Sequence, residues 1–149
     1  MAAERKKIFV VDDNATNLVA CKNILKPYFE VYPAQSAVKL FEMLAWAHPD
    51  LILLDVEMPD MNGYETMQLL KDNDDYSEVP IILLTSKHDE ESFLEGLNLG
   101  AVDYVSKPCI GPLLLRRINT HLSLVDCKNE IKLQNQTIEK MLQMDPDQT

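Results

Sequence analysis

The chain has 149 residues, of which 46% are apolar and 26% charged, enough for one compact domain with a short appendage. A formal net charge of −10 argues against direct contact with a nucleic-acid backbone, where cationic side chains must replace counterions. No apolar run reaches the length needed to cross a bilayer, and the N-terminal MAAERKK passes into a strand rather than a signal-peptide core. A cytoplasmic location is the default expectation. The three cysteines, Cys21, Cys109 and Cys127, match no zinc or disulfide spacing and read as reduced thiols.

In chain order, apolar and helical patterns alternate. Residues 7–11 form a first strand, and Asp13 or Asn14 caps a helix that Pro27 stops near Lys26. A short strand at 30–32 precedes a helix capped by Ser36, with Val38, Leu40, Phe41, Leu44 and Ala45 as its inner face. His48-Pro49-Asp50 breaks that helix before a strand at 51–55. A loop holding Met58-Pro59 and Asn62-Gly63 leads to a helix at 64–71, and a polar connection covers 72–78. Further elements are a strand at 81–85, a helix at 89–99 ended by Gly100, a strand at 103–105, and a last helix from Gly111 or Pro112. Short apolar runs between helices are buried parallel strands, so the expected fold is a doubly wound five-stranded α/β sheet with helices on both faces.

The strands end in residues suited to a phosphoryl group and its cation. IFVV runs into Asp12 and Asp13, LILL into Asp55, IILL into Thr85 and Ser86, and DYV into Ser106, Lys107 and Pro108. The carboxyl ends of parallel strands share one edge, where ligands bind. Carboxylates, a hydroxyl and an ammonium gathered there suit Mg²⁺ with phosphate. VVDDNATN has no glycine, which sets aside dinucleotide and P-loop sites.

The last helix outruns the domain. Leu114, Ile118, Leu122 and Val125 are spaced to pack on the sheet. A second stripe follows at Leu124, Cys127, Ile131, Gln134, Ile138 and Met141, alternating three and four residues apart. This is a heptad seam with one polar position, and it predicts pairing with a second copy of the chain. The expected division is a domain at 1–123 and a coiled-coil linker with a short tail at 124–149.

VVDDN, LILLDVEMPDMNGYE, LLTS and DYVSKP, in that order and across about residues 6–122, resemble the response-regulator receiver domains of two-component signalling. The resemblance implies strand order 2-1-3-4-5 and Mg²⁺ (or Mn²⁺) held by Asp12, Asp13, Asp55 and the main-chain carbonyl of Glu57. It implies Asp55 as phosphoacceptor, with Lys107, Thr85 and Ser86 on the phosphoryl group and a cis Lys107–Pro108 bond. Thr85 and Tyr104 are the implied switch pair. Glu57 and Lys87 occupy the positions that tune phosphoryl lifetime, and their opposite charges are expected to meet. The implied partner is a sensor histidine kinase or a histidine phosphotransfer protein, with no turnover of a separate substrate. Cys109 departs from the family, which commonly has a bulky aromatic there. Two rivals are a phosphorylation-independent binding module and a haloacid-dehalogenase-type phosphatase. The latter needs a second aspartate where this chain has Glu57.

Overall fold

The computed structural model describes residues 5–86 and 90–143. Five parallel strands lie in the order β2-β1-β3-β4-β5. They are β1 Lys7–Val11, β2 Glu30–Ala34, β3 Leu51–Asp55, β4 Ile81–Thr85 and β5 Asp103–Ser106, alternating with α1 Ala15–Leu25, α2 Ala37–Leu44, α3 Gly63–Lys71, α4 Glu90–Asn98 and α5 Gly111–Gln143.

All five positions of β3 and of β4 are buried. Side chains alternate between two apolar layers, since successive strand residues face opposite sides. Phe9, Val11, Ile52, Leu54, Ile81 and Leu83 pack with Leu40 and Met43 of α2 and Met67 and Leu70 of α3. Ile8, Val10, Leu51, Leu53, Ile82 and Leu84 pack with Leu18 and Leu25 of α1 and Leu114, Ile118 and Leu122 of α5. Each large aliphatic buried this way contributes about 1.5–3 kcal/mol, so the two layers fix the register of the central strands.

Several local readings change. Asn14, not Asp13, caps α1, its side chain accepting from the Thr16 and Asn17 amides at 2.9 and 3.2 Å. Asp13 does not cap the helix and lies exposed at the sheet edge. On α2 the inward residues are Ala37, Leu40, Met43 and Leu44, while Val38 and Ala45 face outward and Phe41 is half-buried. Ser36 caps the Lys39 amide and sets the helix phase, which turns Val38 out. β2 extends to Ala34 through Pro33, which an edge strand tolerates. Asn62 and Glu65 form a capping box, so α3 starts at Gly63. The predicted start of the fourth helix at Asp89, and Lys87, lie outside the described residues.

Helix α5 is one uninterrupted helix of 33 residues, about 50 Å long. Leu114, Ile118 and Leu122 are buried and Val125 half-buried, but every residue from Asp126 to Gln143 is exposed. Lys6–Asp126 at 3.7 Å and Lys132–Glu78 at 3.0 Å tie its flank to the strands' amino-terminal side. Exposed pairs of this kind are screened by solvent and add little to stability.

Candidate functional site

The parallel register sets Asp55 opposite Leu84 and Thr85 opposite Ser106. Asp12 follows β1 and Lys107 follows β5, so four strand ends deliver their polar residues to one edge. Asp12 (1% exposed), Asp55 (2%) and Thr85 (0%) are buried, and Asp13 is exposed. One carboxylate oxygen from each of Asp12, Asp13 and Asp55 lies within 4.8 Å of the others.

The Lys107 ammonium bridges two of these groups, at 2.9 Å from Asp12 Oδ2 and 3.0 Å from Asp55 Oδ1. Burial works against its charge, but the two carboxylates outweigh that and hold its pKa above the ordinary lysine value. Asp12 Oδ1 accepts from the Asn14 amide at 2.9 Å. Asp12 Oδ2 is fully buried and, apart from the ammonium beside it, has no aligned hydrogen-bond donor among the described residues. Asp55 Oδ1 also accepts from the Glu57 amide at 3.2 Å. Burial is the main force on Asp55 and pushes its pKa up to about 7; Lys107 opposes the rise and the Asp12 charge adds to it.

A cation fits this donor set. Each like-charged pair at such separations repels by about 3.5 kcal/mol or more at an effective dielectric near 20, and the ammonium pairs with two of the three carboxylates. The hard oxygen donors and the half-satisfied Asp12 Oδ2 match Mg²⁺ or Mn²⁺, which favour carboxylates, carbonyls and water.

The connection from β3 to α3 closes one wall. Asp60 has a φ of 68°, and the Gly63 amide donates to the Val56 carbonyl at 2.9 Å, drawing the start of α3 against the end of β3. Ser86 Oγ donates to Glu57 Oε1 at 3.0 Å, so the Glu57 carboxylate reaches across the pocket mouth to the residue after β4. The Glu57–Lys87 pairing lies outside the described residues. On the opposite wall, the Lys107–Pro108 bond is cis and the Lys107 amide donates to the Thr85 carbonyl at 2.8 Å.

Tyr104 is buried, its ring meeting Phe93 edge-on at 5.1 Å. Beside it lies a cluster that sequence reasoning missed. Buried Asp103 takes two contacts of 3.0 Å from the Arg117 guanidinium, one of 2.9 Å from His121 Nε2 and one of 2.8 Å from the Tyr104 amide. Burial alone raises the Asp103 pKa, but these partners prevail and hold it below the usual carboxylate value. Arg117 and His121 are four residues apart on α5, a spacing that puts both on one face.

A doubly wound sheet in the order 2-1-3-4-5, with an acidic, lysine-bridged pocket at its carboxyl edge, defines a flavodoxin-like fold. The profile of the response regulator receiver domain family matches residues 8–119, and the chain belongs to that family. It is 30% identical over 121 residues to the polar-differentiation response regulator DivK of Brucella ovis, covering 78% of this chain and 96% of that protein. It is 39% identical over 132 residues to a probable cyclic di-GMP phosphodiesterase of Vibrio cholerae serotype O1, covering 89% of this chain. That match spans only 30% of the Vibrio protein. Among solved structures, a CheY-like response regulator receiver domain protein from Methanospirillum hungatei superposes with a TM-score of 0.77 at 28% identity, covering 84% of this chain and 99% of that one. Membership sets aside the haloacid-dehalogenase reading. Among the described residues no helix is long and apolar enough to cross a membrane.

Proposed function

We propose that this receiver accepts a phosphoryl group on Asp55 from a phosphohistidine of a sensor kinase or phosphotransfer protein. The observation that carries the reading is the Lys107 ammonium seated between two buried carboxylates, with the Asp13 carboxylate beside them. An Asp55 carboxylate oxygen attacks phosphorus, the phosphorus–nitrogen bond breaks, and the histidine nitrogen leaves. Lys107 offers a point charge to the transferring oxygens, and Thr85 with Ser86 supplies hydrogen-bond donors at the end of β4. Asp12, Asp13, Asp55 and the Glu57 carbonyl are the groups that would hold Mg²⁺ or Mn²⁺. The ion, when bound, offsets the charge that builds on the phosphoryl oxygens.

The captured phosphoryl group draws Thr85 towards it, and the Tyr104 surroundings respond as a shift between two packings. The Glu57 carboxylate, beside Ser86, and Lys87 govern access of water to the phosphoryl group and hence its lifetime. The protein acts as a cytoplasmic switch without turning over a separate substrate, and its acidity keeps it off nucleic acid. Acetyl phosphate with Mg²⁺ should add one phosphoryl mass by intact mass spectrometry, and EDTA should abolish the gain. An unchanged mass with Mg²⁺ present sinks the reading and favours a phosphorylation-independent binding module.

We further propose that residues 1–123 are the receiver and 124–149 a coiled-coil linker and tail, the linker pairing two copies; 1–4 and 144–149, at the ends of these ranges, lie outside the described residues. Leu124, Ile131, Ile138 and Met141 are 53–65% exposed along one helix, and Cys127 and Gln134 complete the stripe. Isolated helices are marginal in water, which favours a partner for such a seam. Light scattering should give a dimer for the whole chain and a monomer for the double variant Ile131→Asp, Ile138→Asp. A wild-type monomer at tens of micromolar, an ordinary range for transient self-association (Kd ~10⁻⁵ M), would remove this proposal.

A further inference from the structure

Two cysteines far apart in sequence meet beside the site. Cys21 is on the inner face of α1 and buried, and Cys109 is half-buried two residues after Lys107. Both line a cavity of about 100 Å³ together with Asp12, Asn17, Leu84, Lys107 and Pro108. The two thiols are close enough to perturb each other across this small cavity. The Cys109 loop lies close to α1: Ile24 lines the same cavity, and a methyl group added at Gly111 would lie 3.7 Å from that side chain.

Their environments differ in a direction that assigns roles. The neighbouring Cys21 thiol and, more weakly, the Lys107 charge bring the Cys109 thiol below its ordinary pKa against the effect of burial. The interaction with Cys109, then burial, pushes the Cys21 thiol up. A reachable sulfur, that of half-buried Cys109, next to the buried one of Cys21 is the arrangement of an attacking and a resolving cysteine. The small cavity favours an oxidant little larger than water over a bulky disulfide.

We propose that Cys21 and Cys109 are a peroxide-sensitive dithiol whose disulfide ties the Lys107 loop to α1 and weakens phosphoryl capture at Asp55. The Cys109 thiolate attacks one oxygen of hydrogen peroxide, the oxygen–oxygen bond breaks and hydroxide leaves, giving a sulfenic acid. The Cys21 sulfur then attacks that sulfur and loses its proton. The sulfur–oxygen bond breaks, and the departing hydroxide takes the Cys21 proton as water. The first hydroxide is neutralised by the proton Cys109 had released. Two thiols are oxidised by two electrons in all, and one peroxide is reduced to two waters. Pro108 is the sole residue between Lys107 and the cross-link, so the bond holds the ammonium in its present seat on Asp12 and Asp55 and hinders its transfer to a phosphoryl oxygen. Only this last consequence rests on Asp55 being the phosphoacceptor.

The test uses the full chain carrying Cys127→Ser, which removes the exposed thiol. After hydrogen peroxide and quenching, intact mass should fall by two hydrogen atoms, and peptide mapping should join the Cys21 and Cys109 peptides, reversibly with dithiothreitol. A further Cys21→Ser or Cys109→Ser change should abolish the loss. Oxygen-adduct masses alone, disulfide-linked dimers, or an unchanged mass would overturn the dithiol. Calorimetry with beryllofluoride and Mg²⁺ should show several-fold weaker binding to the oxidised than to the reduced protein. Equal binding by both overturns the regulatory claim. Beryllofluoride binding to neither form indicts the phosphoacceptor reading, while the mass measurement still decides the dithiol.

Discussion

Asp55→Asn is expected to abolish Mg²⁺-dependent phosphoryl uptake and, without metal at pH 8, to make the folded protein more stable by about 1–2 kcal/mol. The first effect follows from losing the nucleophilic oxygen. The second follows from burial, which is the chief cause of the Asp55 pKa of about 7. The sign is fixed by linkage. Asp55 is raised in the folded state, so the folded chain keeps a proton that the unfolded chain gives up in the ordinary carboxylate range. That advantage is complete below about pH 4 and is lost as pH rises through about 7. The span sets a ceiling of about 4 kcal/mol, and loss of the Lys107 contact offsets part of the gain from neutralising the group. Chemical denaturation from pH 5 to 8 should therefore show wild type losing stability relative to the Asp55→Asn variant across that window. Mg²⁺ should restore wild type at pH 8 more than at pH 5, because the ion competes with the proton, and should do far less for the variant. A wild type that gains on the variant as pH rises in EDTA would show that the Lys107 pair, not burial, governs Asp55.

How far the residues announced this arrangement depends on the range of each interaction. LILLD and IILLT end their buried runs at Asp55 and Thr85, and a parallel sheet leaves such termini nowhere else to go. The converging carboxylates and Lys107 are therefore legible from four local patterns. Interactions made by packing are not. Cys21 and Cys109 meet only because the β5–α5 connection lies on α1. Asp103 finds Arg117 and His121 only once α5 crosses β5, although the four-residue spacing hints at a shared face. Hydropathy alone misplaces Val38 because a run of eight helical residues admits two phases, and the Ser36 cap chooses between them. The Ser86 hydroxyl's donation to the Glu57 carboxylate is a neutral contact that charge counting does not find, and Lys87 lies outside the described residues.

Gly63→Ala tests whether the wall of the pocket is as tight as its geometry. A Cβ there would lie 2.4 Å from the Asp55 carbonyl oxygen and 2.8 Å from the Val56 Cα. Both are backbone atoms on the strand end that carries Asp55, so no side chain can swing away. Overpacking of this kind costs about 1–3 kcal/mol, and a purely backbone clash belongs at the upper end. The expected loss is about 3 kcal/mol in denaturant midpoint analysis, together with weakened metal-dependent beryllofluoride binding, because relief requires the start of α3 to retreat from Asp55. Two other glycines provide the comparison. At Gly96 the added methyl crowds the Leu83 Cδ1 at 2.6 Å, the far end of a side chain rather than backbone, and touches the Tyr64 and Tyr104 rings at 3.6 and 3.7 Å, while alanine's helix preference of about 1 kcal/mol offsets part of the strain. At Gly111 the nearest atom is 3.7 Å away, so alanine there should be neutral or slightly stabilising. If Gly63→Ala proves as mild as Gly111→Ala and leaves beryllofluoride binding intact, the β3–α3 connection does not hold Asp55 in place, and the pocket must be positioned by Lys107 and its own carboxylates.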